Sequence, residues 1–302
     1  MEPDSTDAVE RAHLRAPGDR SHTMHRYAPP AELVPLVQRF WIPVWSVPPG
    51  QESTQHVLQY PVALLVVAPD YARFYGVVTG LSATTLTGDG WAVGVMLTPA
   101  AGALVAGVDM STFTDRHVDL TEVLGATDLP ARVRAAMAAD PCSAAAHRAA
   151  TTAFADVLRP LLPVDAEGEL VDRVVALVES RPDLLRVAQL CEATGLGERA
   201  LQRLLQRRLG LTPKWLIQRR RLHEAAEALR HGEGAMAQTA ALLGYADQAH
   251  FTRDWTAVTG TPPGRFAAAH RAQPNGPAPA RETTPGTPSA SKTVMSSAPS
   301  TT

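Results

Sequence analysis

Arginine and glutamine side chains recur on one face of a predicted helix near the middle of this 302-residue chain. Arg199, Gln202, Arg203 and Gln206 are spaced three and four residues apart, which places them on a single helical stripe. The forked guanidinium and the side-chain amide match the hydrogen-bonding edges of guanine and adenine in the major groove of DNA. This stripe is therefore a candidate base-reading surface.

The same arrangement occurs a second time about 50 residues later. Each copy predicts a short helix, a glycine turn, a second helix with Arg two residues after a large apolar residue, and a Gly-x-x-Pro stop. The outward positions of the second copy are Gln248, Ala249, Thr252, Arg253 and Thr256. Glycine tolerates the positive φ of a sharp reversal, so Gly195 and Gly244 fit the two turns. The repeat predicts two helix-turn-helix units.

A single helix is predicted between the two units, from Pro213 to Arg230, with proline in its first turn. Eighteen residues at ~1.5 Å rise give a length of roughly 27 Å. That length could hold two reading helices about one DNA turn, ~34 Å, apart. The cluster Arg219, Arg220 and Arg221 is predicted to contact the DNA backbone.

Charge is distributed unevenly along the chain. Residues 195–271 contain 12 Lys and Arg against 6 Asp and Glu, whereas residues 1–164 contain 11 against 16, within a formal net charge of −2. A basic segment attached to an acidic remainder is the electrostatic footprint of a polyanion-binding module. The alternative interpretation is a pair of Arg-rich helices with a solvated face.

The predicted fold class is α+β, with four segments. Residues 1–23 and 272–302 are predicted to be disordered, because they have little to bury. Short Val, Leu and Thr runs between residues 57 and 98 predict a small barrel-like β domain with trailing helices over 24–163. Helical spacing then predicts an all-α domain over 164–271.

Several classes of protein are excluded by composition. No stretch approaches the ~18 apolar residues of a membrane span, and the charged N-terminus lacks the apolar region of a secretory signal, so we expect a cytoplasmic protein. Cys142 and Cys191 are too few for a disulfide framework or a four-thiolate zinc site, and we expect both thiols to be buried. We predict no metal and no cofactor.

The segments GYADQAHFTR (244–253) and TGTPP (259–263), together with TGLGERALQRLLQRR from Thr194, resemble the DNA-binding domain of the AraC/XylS transcriptional regulators. The resemblance covers about 100 residues, roughly 167–270. It implies two helix-turn-helix units on consecutive major grooves of double-stranded DNA, and a separate regulatory domain. Gly197 departs from the pattern, since Ser commonly caps the first reading helix.

By position, the resemblance implies two sets of DNA contacts. The base-contacting set is Arg199, Gln202, Arg203, Gln248, His250 and Arg253. Arg219, Arg220, Arg221 and Thr252 are the residues we expect at the DNA backbone. RNA polymerase, a second copy of the chain and an unknown small-molecule effector are further partners that the sequence leaves open.

The N-terminal half resembles an uncharacterised small β domain found before this module in some bacterial regulators. The residues that carry the resemblance are Arg39-Phe40-Trp41, the β run, and the stretch from Val93. A sensing or dimerising role is expected for it. Aromatic residues that could line a ligand cavity, or form the core instead, are Trp41, Trp45, Tyr60, Tyr75 and Trp91. His56 stands alone, so no paired-His site is predicted.

Two other functions compete with sequence-specific DNA binding. An enzyme could use Asp70, Asp89, His117 or Asp119 as an acid or base, or act as an alkyl-transfer repair protein. Repair would require a four-Cys zinc site and a reactive Cys, which the sequence lacks. Non-specific architectural binding would fit the charge but not the Gln and Arg at reading positions.

Overall fold

The computed structural model describes residues 12–14, 18–125, 128–232 and 235–271. Its α+β class agrees with the prediction: strands occupy the N-terminal region and helices the rest. The strands are β1 (His22–Tyr27), β2 (Val37–Ser46), β3 (Ser53–Val57), β4 (Leu64–Val67), β5 (Ala72–Tyr75), β6 (Ser82–Leu86), β7 (Asp89–Trp91), β8 (Val93–Leu97) and β9 (His117–Asp119).

Most α-helices follow the strands along the chain, and only the first precedes a strand, β9, within the described residues. Those of the N-terminal region are α1 (Ala101–Ala106), α2 (Leu120–Leu124), α3 (Leu129–Met137) and α4 (Ala144–Leu158). Those of the C-terminal region are α5 (Ala166–Ser180), α6 (Val187–Thr194), α7 (Glu198–Leu209), α8 (Pro213–His231), α9 (Met236–Leu242), α10 (Gln248–Thr259) and α11 (Pro263–Arg271).

The main sheet has seven antiparallel strands in the order β1-β2-β8-β4-β5-β9, with β7 also beside β2. β3 and β6 pair separately as a two-stranded ribbon. Within the described residues β1 and β9 lie at opposite edges and do not pair, so the sheet is open. The expectation of a barrel-like domain is wrong in this respect, because helices cover one face of the sheet instead of the sheet closing on itself.

The two faces of the sheet have different roles, as the alternation along β2 illustrates. Phe40 and Ile42 are buried in a core that also contains Phe154 of α4 and Leu158. Trp41, Pro43 and Trp45 point to the opposite face, towards the ribbon. Side chains alternate across a strand, so a single strand supplies both surfaces.

Part of the N-terminal segment 1–23, which the sequence predicts to be disordered, has a defined structure. His22 and Thr23 belong to β1, Ala12 is buried, and His13 bridges to Val57 of the ribbon. These residues fall within the segment predicted to be disordered, and pairing with existing strands explains their order. The remaining predictions of disorder, over 1–11, 15–17 and 272–302, lie outside the described residues.

The expectation of two buried thiols is wrong. Cys142 is exposed, because it lies in the turn before α4, and Cys191 on α6 is only half-buried.

The helical region has two apolar cores, and each includes a residue from the N-terminal region. Val77 packs in the first core with Leu201 and Leu205 of α7. Leu58 packs in the second with Phe251 and Trp255 of α10. The two regions are therefore packed directly against one another.

Candidate nucleic-acid interface

The first helix-turn-helix unit consists of α6 and α7, joined through Gly195 at a φ of 69°. Leu201 and Leu205 anchor α7 because their side chains are fully buried. The opposite stripe is exposed along its length, and it consists of Arg199, Gln202, Arg203 and Gln206. The turn glycine and the division into two faces are as the sequence predicts.

The second unit consists of α9 and α10, with Gly244 in its turn at a φ of 72°. A Cβ on Gly244 would also approach Leu185 Cδ1 to 2.5 Å, so close packing is a second reason for glycine here. Phe251 and Trp255 are fully buried, while Gln248 and Arg253 are exposed. Thr252 is half-buried on the same helix.

The arginines of the two outward stripes have no ion-pair partner among the residues that the structure describes. Within the described part of the chain, no carboxylate lies within ion-pair distance of Arg199, Arg203 or Arg253. Asp254, the neighbour that could have paired with Arg253, instead accepts a hydrogen bond from Gln218 Nε2 at 3.1 Å. Unpaired exposed guanidinium groups retain the donors that phosphate or a base edge would use.

His250 differs from the other predicted base contacts, because the protein already surrounds it. Its ring packs edge-on against Tyr245, with 5.2 Å between ring centroids, and its Nε2 lies 3.9 Å from Asp254 Oδ2. Its backbone N–H donates to Asp247 Oδ1 at 2.6 Å, which caps α10. Its side chain nevertheless remains 45% exposed, so it still faces solvent beside Gln248 and Arg253.

Two residues of the predicted backbone-contacting cluster are buried instead. Arg219 Nη2 donates to the carbonyl oxygens of Thr79 at 2.5 Å and Gly80 at 3.0 Å, and burial lowers the pKa of Arg219 to about 10. Arg220 pairs with Glu224 at 2.8 Å and donates to Leu184 O at 3.0 Å. The prediction that Arg219 and Arg220 contact DNA is wrong for this structure, since the N-terminal region and α5–α6 loop cover them.

The third member of that cluster, Arg221, stacks on an aromatic ring. Its guanidinium carbon lies 3.7 Å from the ring centroid of Tyr245. The Tyr245 hydroxyl is buried, which raises the pKa of Tyr245 to about 12. Arg221 therefore links α8 to the second unit by a cation–π contact, and because its side chain is only half-buried the DNA-backbone contact stays a prediction.

The same helix α8 is docked on the N-terminal region through side chains that sequence reasoning missed. Trp215 Nε1 donates to Thr79 O at 3.2 Å, His223 Nε2 donates to Leu58 O at 2.8 Å, and Arg230 Nη2 donates to His13 O at 2.5 Å. Trp215, Arg219 and His223 recur every four residues, which defines one helix face. That spacing is the signal that could have identified a buried face.

Candidate catalytic residues of the N-terminal region do not converge on a site. Asp70, Asp89 and His117 are exposed, and Asp119 caps α2 by accepting from Thr121 N at 2.8 Å. In the described ranges no cluster of three or more His, Cys, Asp or Glu residues could hold a metal ion. No described helix is long and apolar enough to cross a membrane.

A cavity of about 470 Å³ lies between the sheet and the ribbon β3–β6. Four of the five aromatics that could line a ligand site do line it, namely Trp41, Trp45, Tyr60 and Tyr75. Trp91 instead belongs to the core on the other side of the sheet. His56 is half-buried in the ribbon and does not line the cavity.

Comparisons with known proteins divide the chain into the same two parts. Residues 190–269 match the family described as a helix-turn-helix domain, and residues 25–119 match a domain of unknown function, DUF6597. No curated protein matches the chain at a significant level.

Among solved structures, the chain is similar to ToxT from Vibrio cholerae O395, with 12% identity, a TM-score of 0.35, and coverage of 83% of this chain and 98% of that one. It is also similar to unsaturated fatty acid-bound wild-type ToxT from Vibrio cholerae strain SCE256, with 12% identity, a TM-score of 0.35, and coverage of 82% and 95%.

Proposed function

We propose that this chain, in which an AraC-type helix-turn-helix domain follows a DUF6597 domain, regulates transcription by reading DNA sequence in two consecutive major grooves. The helix-turn-helix match indicates a DNA-binding regulator of transcription. Groove reading by both units is the finer part of the proposal. In it, α7 presents Arg199, Gln202 and Arg203 to bases, and α10 presents Gln248, His250 and Arg253.

The observation that carries this proposal is a pair of exposed arginines at equivalent places in the repeat, neither of which has an ion-pair partner in the described part of the chain. Arg203 of α7 and Arg253 of α10 are exposed, and the opposite face of each helix is buried in a core. The cores therefore fix the two helices, and the two guanidinium groups stay at the surface. A bidentate Arg–guanine pair discriminates by roughly 1–3 kcal/mol. Exposed Arg at two such places therefore favours sequence-specific reading over architectural binding.

The residues that we propose to contact the DNA backbone differ in part from those that the sequence predicts. Thr252 stays in this proposal as a contact to the DNA backbone, because it is a half-buried residue that precedes the exposed Arg253 on α10. Arg207 lies on the exposed side of α7 but pairs with Glu167. A phosphate contact of the first unit is then left to Lys214, which is exposed near the start of α8.

The N-terminal domain is proposed to sense a small molecule. The cavity between its sheet and ribbon supports this, since its volume of about 470 Å³ is in the range of pockets that bind drug-sized ligands. We place the domain boundary at 163/164, just before Asp165 caps α5. A regulator of this kind acts where the DNA is, so we assign the protein to the cytoplasm.

The test is selection of bound sequences from a random double-stranded DNA library, with the full chain as wild type, Arg203→Ala and Arg253→Ala. Each substitution should relax the selected motif in a different half, and the halves should lie about 10 bp apart. Arg148→Ala is the matched control, because Arg148 is exposed on α4 of the other domain. If both reading variants weaken all sequences equally and leave the motif unchanged, the two-groove proposal fails.

Salt dependence provides a second measurement. Several phosphate contacts release counterions on binding, so log K should fall linearly with log salt concentration, with a slope of about −0.9 for each contact. A flat salt profile would contradict the proposal that α7 and α10 face the DNA backbone.

A further inference from the structure

The cavity of the N-terminal domain has a flat aromatic floor. Trp41 and Trp45 extend from β2 towards the ribbon, and residues without side chains lie beneath them on the neighbouring strands: Gly94 under Trp41 and Gly90 under Trp45. A Cβ on Gly94 or on Gly90 would collide with the indole above it. Glycine therefore lets both indoles lie against the sheet, where they form a surface suited to a planar apolar group.

Arginine predominates over carboxylates around this floor. Arg73 and Arg116 line the end of the cavity near β5 and β9, and Arg26 lines the other end. Of the described residues that line it, Asp115 is the single carboxylate. Both oxygens of Asp115 are occupied, since Thr79 N donates to one at 2.6 Å and Thr79 Oγ1 to the other at 2.7 Å.

Two tyrosines position the Arg73 side chain and use few of its N–H donors. Its guanidinium carbon lies 4.5 Å from the ring centroid of Tyr71, and its Nη1 lies 3.4 Å from the Tyr75 hydroxyl oxygen. The described residues place no carboxylate within ion-pair distance of it. Guanidinium has five N–H donors in a fork that matches a carboxylate, so most of its capacity is available to a ligand.

Strand register connects this arginine to the aromatic floor. Arg73 is opposite Val66, Val66 is opposite Gly94, and Gly94 is opposite Trp41, so the four residues form one row across the sheet. Three strand spacings of ~4.8 Å put the backbones of Arg73 and Trp41 roughly 14 Å apart. Val66 packs in a small cluster with aromatic side chains that include Trp41 and Tyr71, and Trp41 covers Gly94, so the row presents an aromatic surface with Arg73 at one end.

We propose that this cavity binds an organic anion with a planar apolar body, whose carboxylate pairs with Arg73 and whose body lies against Trp41. The inference rests on the sensing role in the proposed function and names the chemical class of ligand for it. A ligand in this position is close to the DNA-binding half. Val78 and Ser82 line the cavity, and between them lie Thr79 and Gly80, the carbonyls that Arg219 binds.

The experiment measures binding of three probes to the full chain by isothermal titration calorimetry. The probes are 2-naphthoate, its neutral isostere 2-naphthamide, and decanoate as a flexible aliphatic carboxylate. Wild type should bind 2-naphthoate about tenfold or more tightly than 2-naphthamide, because a charge-assisted bidentate pair is lost with the amide. It should also bind 2-naphthoate more tightly than decanoate, since the floor is flat.

Three variants test the role of each part. Arg73→Gln should reduce the affinity for 2-naphthoate to that for 2-naphthamide, and Arg73→Lys should keep a reduced preference for the acid. Gly94→Ala should weaken both naphthalene probes, because the new Cβ displaces Trp41. Arg148→Gln, on the far surface of α4, should leave all affinities unchanged. Thermal unfolding without probe verifies that each variant is folded.

The outcomes separate this inference from the proposed function. The inference is overturned if no probe binds at millimolar concentration, if the amide binds as tightly as the acid, or if Arg73→Gln binds 2-naphthoate like wild type. Tighter binding of decanoate than of 2-naphthoate overturns the planar class. Retention of DNA by the same preparation, measured in parallel without a probe, does not require a ligand in the cavity, so its failure contradicts the proposed function and not the ligand class.

Discussion

The two helix-turn-helix units share one sequence repeat but are secured at opposite ends of their second helices, α7 and α10. In the second unit Asp247 caps the start of α10, with its carboxylate accepting from His250 N. In the first unit Gly197 occupies the same position and supplies no side-chain acceptor. The start of α7 thus lacks the side-chain cap hydrogen bond that stabilises the start of α10.

The end of α7, in contrast, is fastened to the N-terminal domain. Thr114 Oγ1 donates to Gly210 O at 2.8 Å, and Arg208 bridges Asp165, at 2.8 Å, and the carbonyl of Ala100, at 3.3 Å. Equivalent positions in a repeat can therefore be stabilised by different physical means. A local cap acts within one helix, whereas a docked end makes the orientation of the helix depend on the neighbouring domain.

The largest expected effect concerns the two cores. Trp255→Ala in the second unit should lower the free energy of unfolding by ~3–5 kcal/mol, and Leu205→Ala in the first by ~2–5 kcal/mol, because each removes a fully buried side chain. Urea denaturation followed by circular dichroism measures both. Ala257→Ser at an exposed position of α10 is the control and should change stability by less than ~0.5 kcal/mol. Small effects from both core substitutions would contradict the packing described for the two units.

The next effect concerns DNA affinity. Arg203→Ala should cost ~1–3 kcal/mol at the selected site if the guanidinium is bidentate to guanine. Arg253→Ala should cost less, because Asp247 and Asp254 make the surroundings of α10 more negative. Fluorescence anisotropy with the selected site at fixed salt concentration measures both, and equal losses would remove this distinction between the units.

The cap of the second unit should give an effect of about 1 kcal/mol. Asp247→Ala removes the acceptor for His250 N, and loss of such a cap costs ~0.5–2 kcal/mol. Asp247→Asn keeps an acceptor and is the matched control. Thermal unfolding of both variants compares them, and equal melting temperatures would mean that the cap contributes little.

The smallest expected effect is a gain. Gly197→Ser would supply the missing cap of α7, and the backbone there has a φ of −67° with open space around a new Cβ. The gain over glycine should be only a few tenths of a kcal/mol. Thermal unfolding detects it if the variant is compared with Gly264→Ser, where a new Cβ also meets open space. A lower melting temperature for Gly197→Ser would contradict the account of the uncapped helix.

Local features of the helical region could be predicted from sequence because they depend on residues a few positions apart. The glycine turns at Gly195 and Gly244, the buried stripe through Leu201 and Leu205, and the start of α8 at Pro213 all follow from spacing and backbone preference. The β-rich character of the first half also follows from its Val, Leu and Thr runs.

Contacts between distant segments could not be predicted in the same way. A run of three arginines has the same appearance whether it faces DNA or a neighbouring domain, and Arg219 is buried only because the loop at Thr79 and Gly80 covers α8. The open sheet and the pairing of β1 with β2 depend on register between strands, which a single sequence does not specify.

Trp215 gives the junction between the two domains an optical probe of its own. Its indole N–H is bound to Thr79, and its ring carries the guanidinium of Arg219 at 4.6 Å. Indole emission responds to polarity and to nearby charge, so separation of α8 from the loop would alter the emission of this residue. The other four tryptophans lie elsewhere: Trp41 and Trp45 line the cavity, Trp91 lies in the core of the sheet, and Trp255 lies in the core of the second helix-turn-helix unit. Variants that each retain a single tryptophan would then report separately, through its fluorescence emission, on the cavity, the junction and the second helix-turn-helix unit.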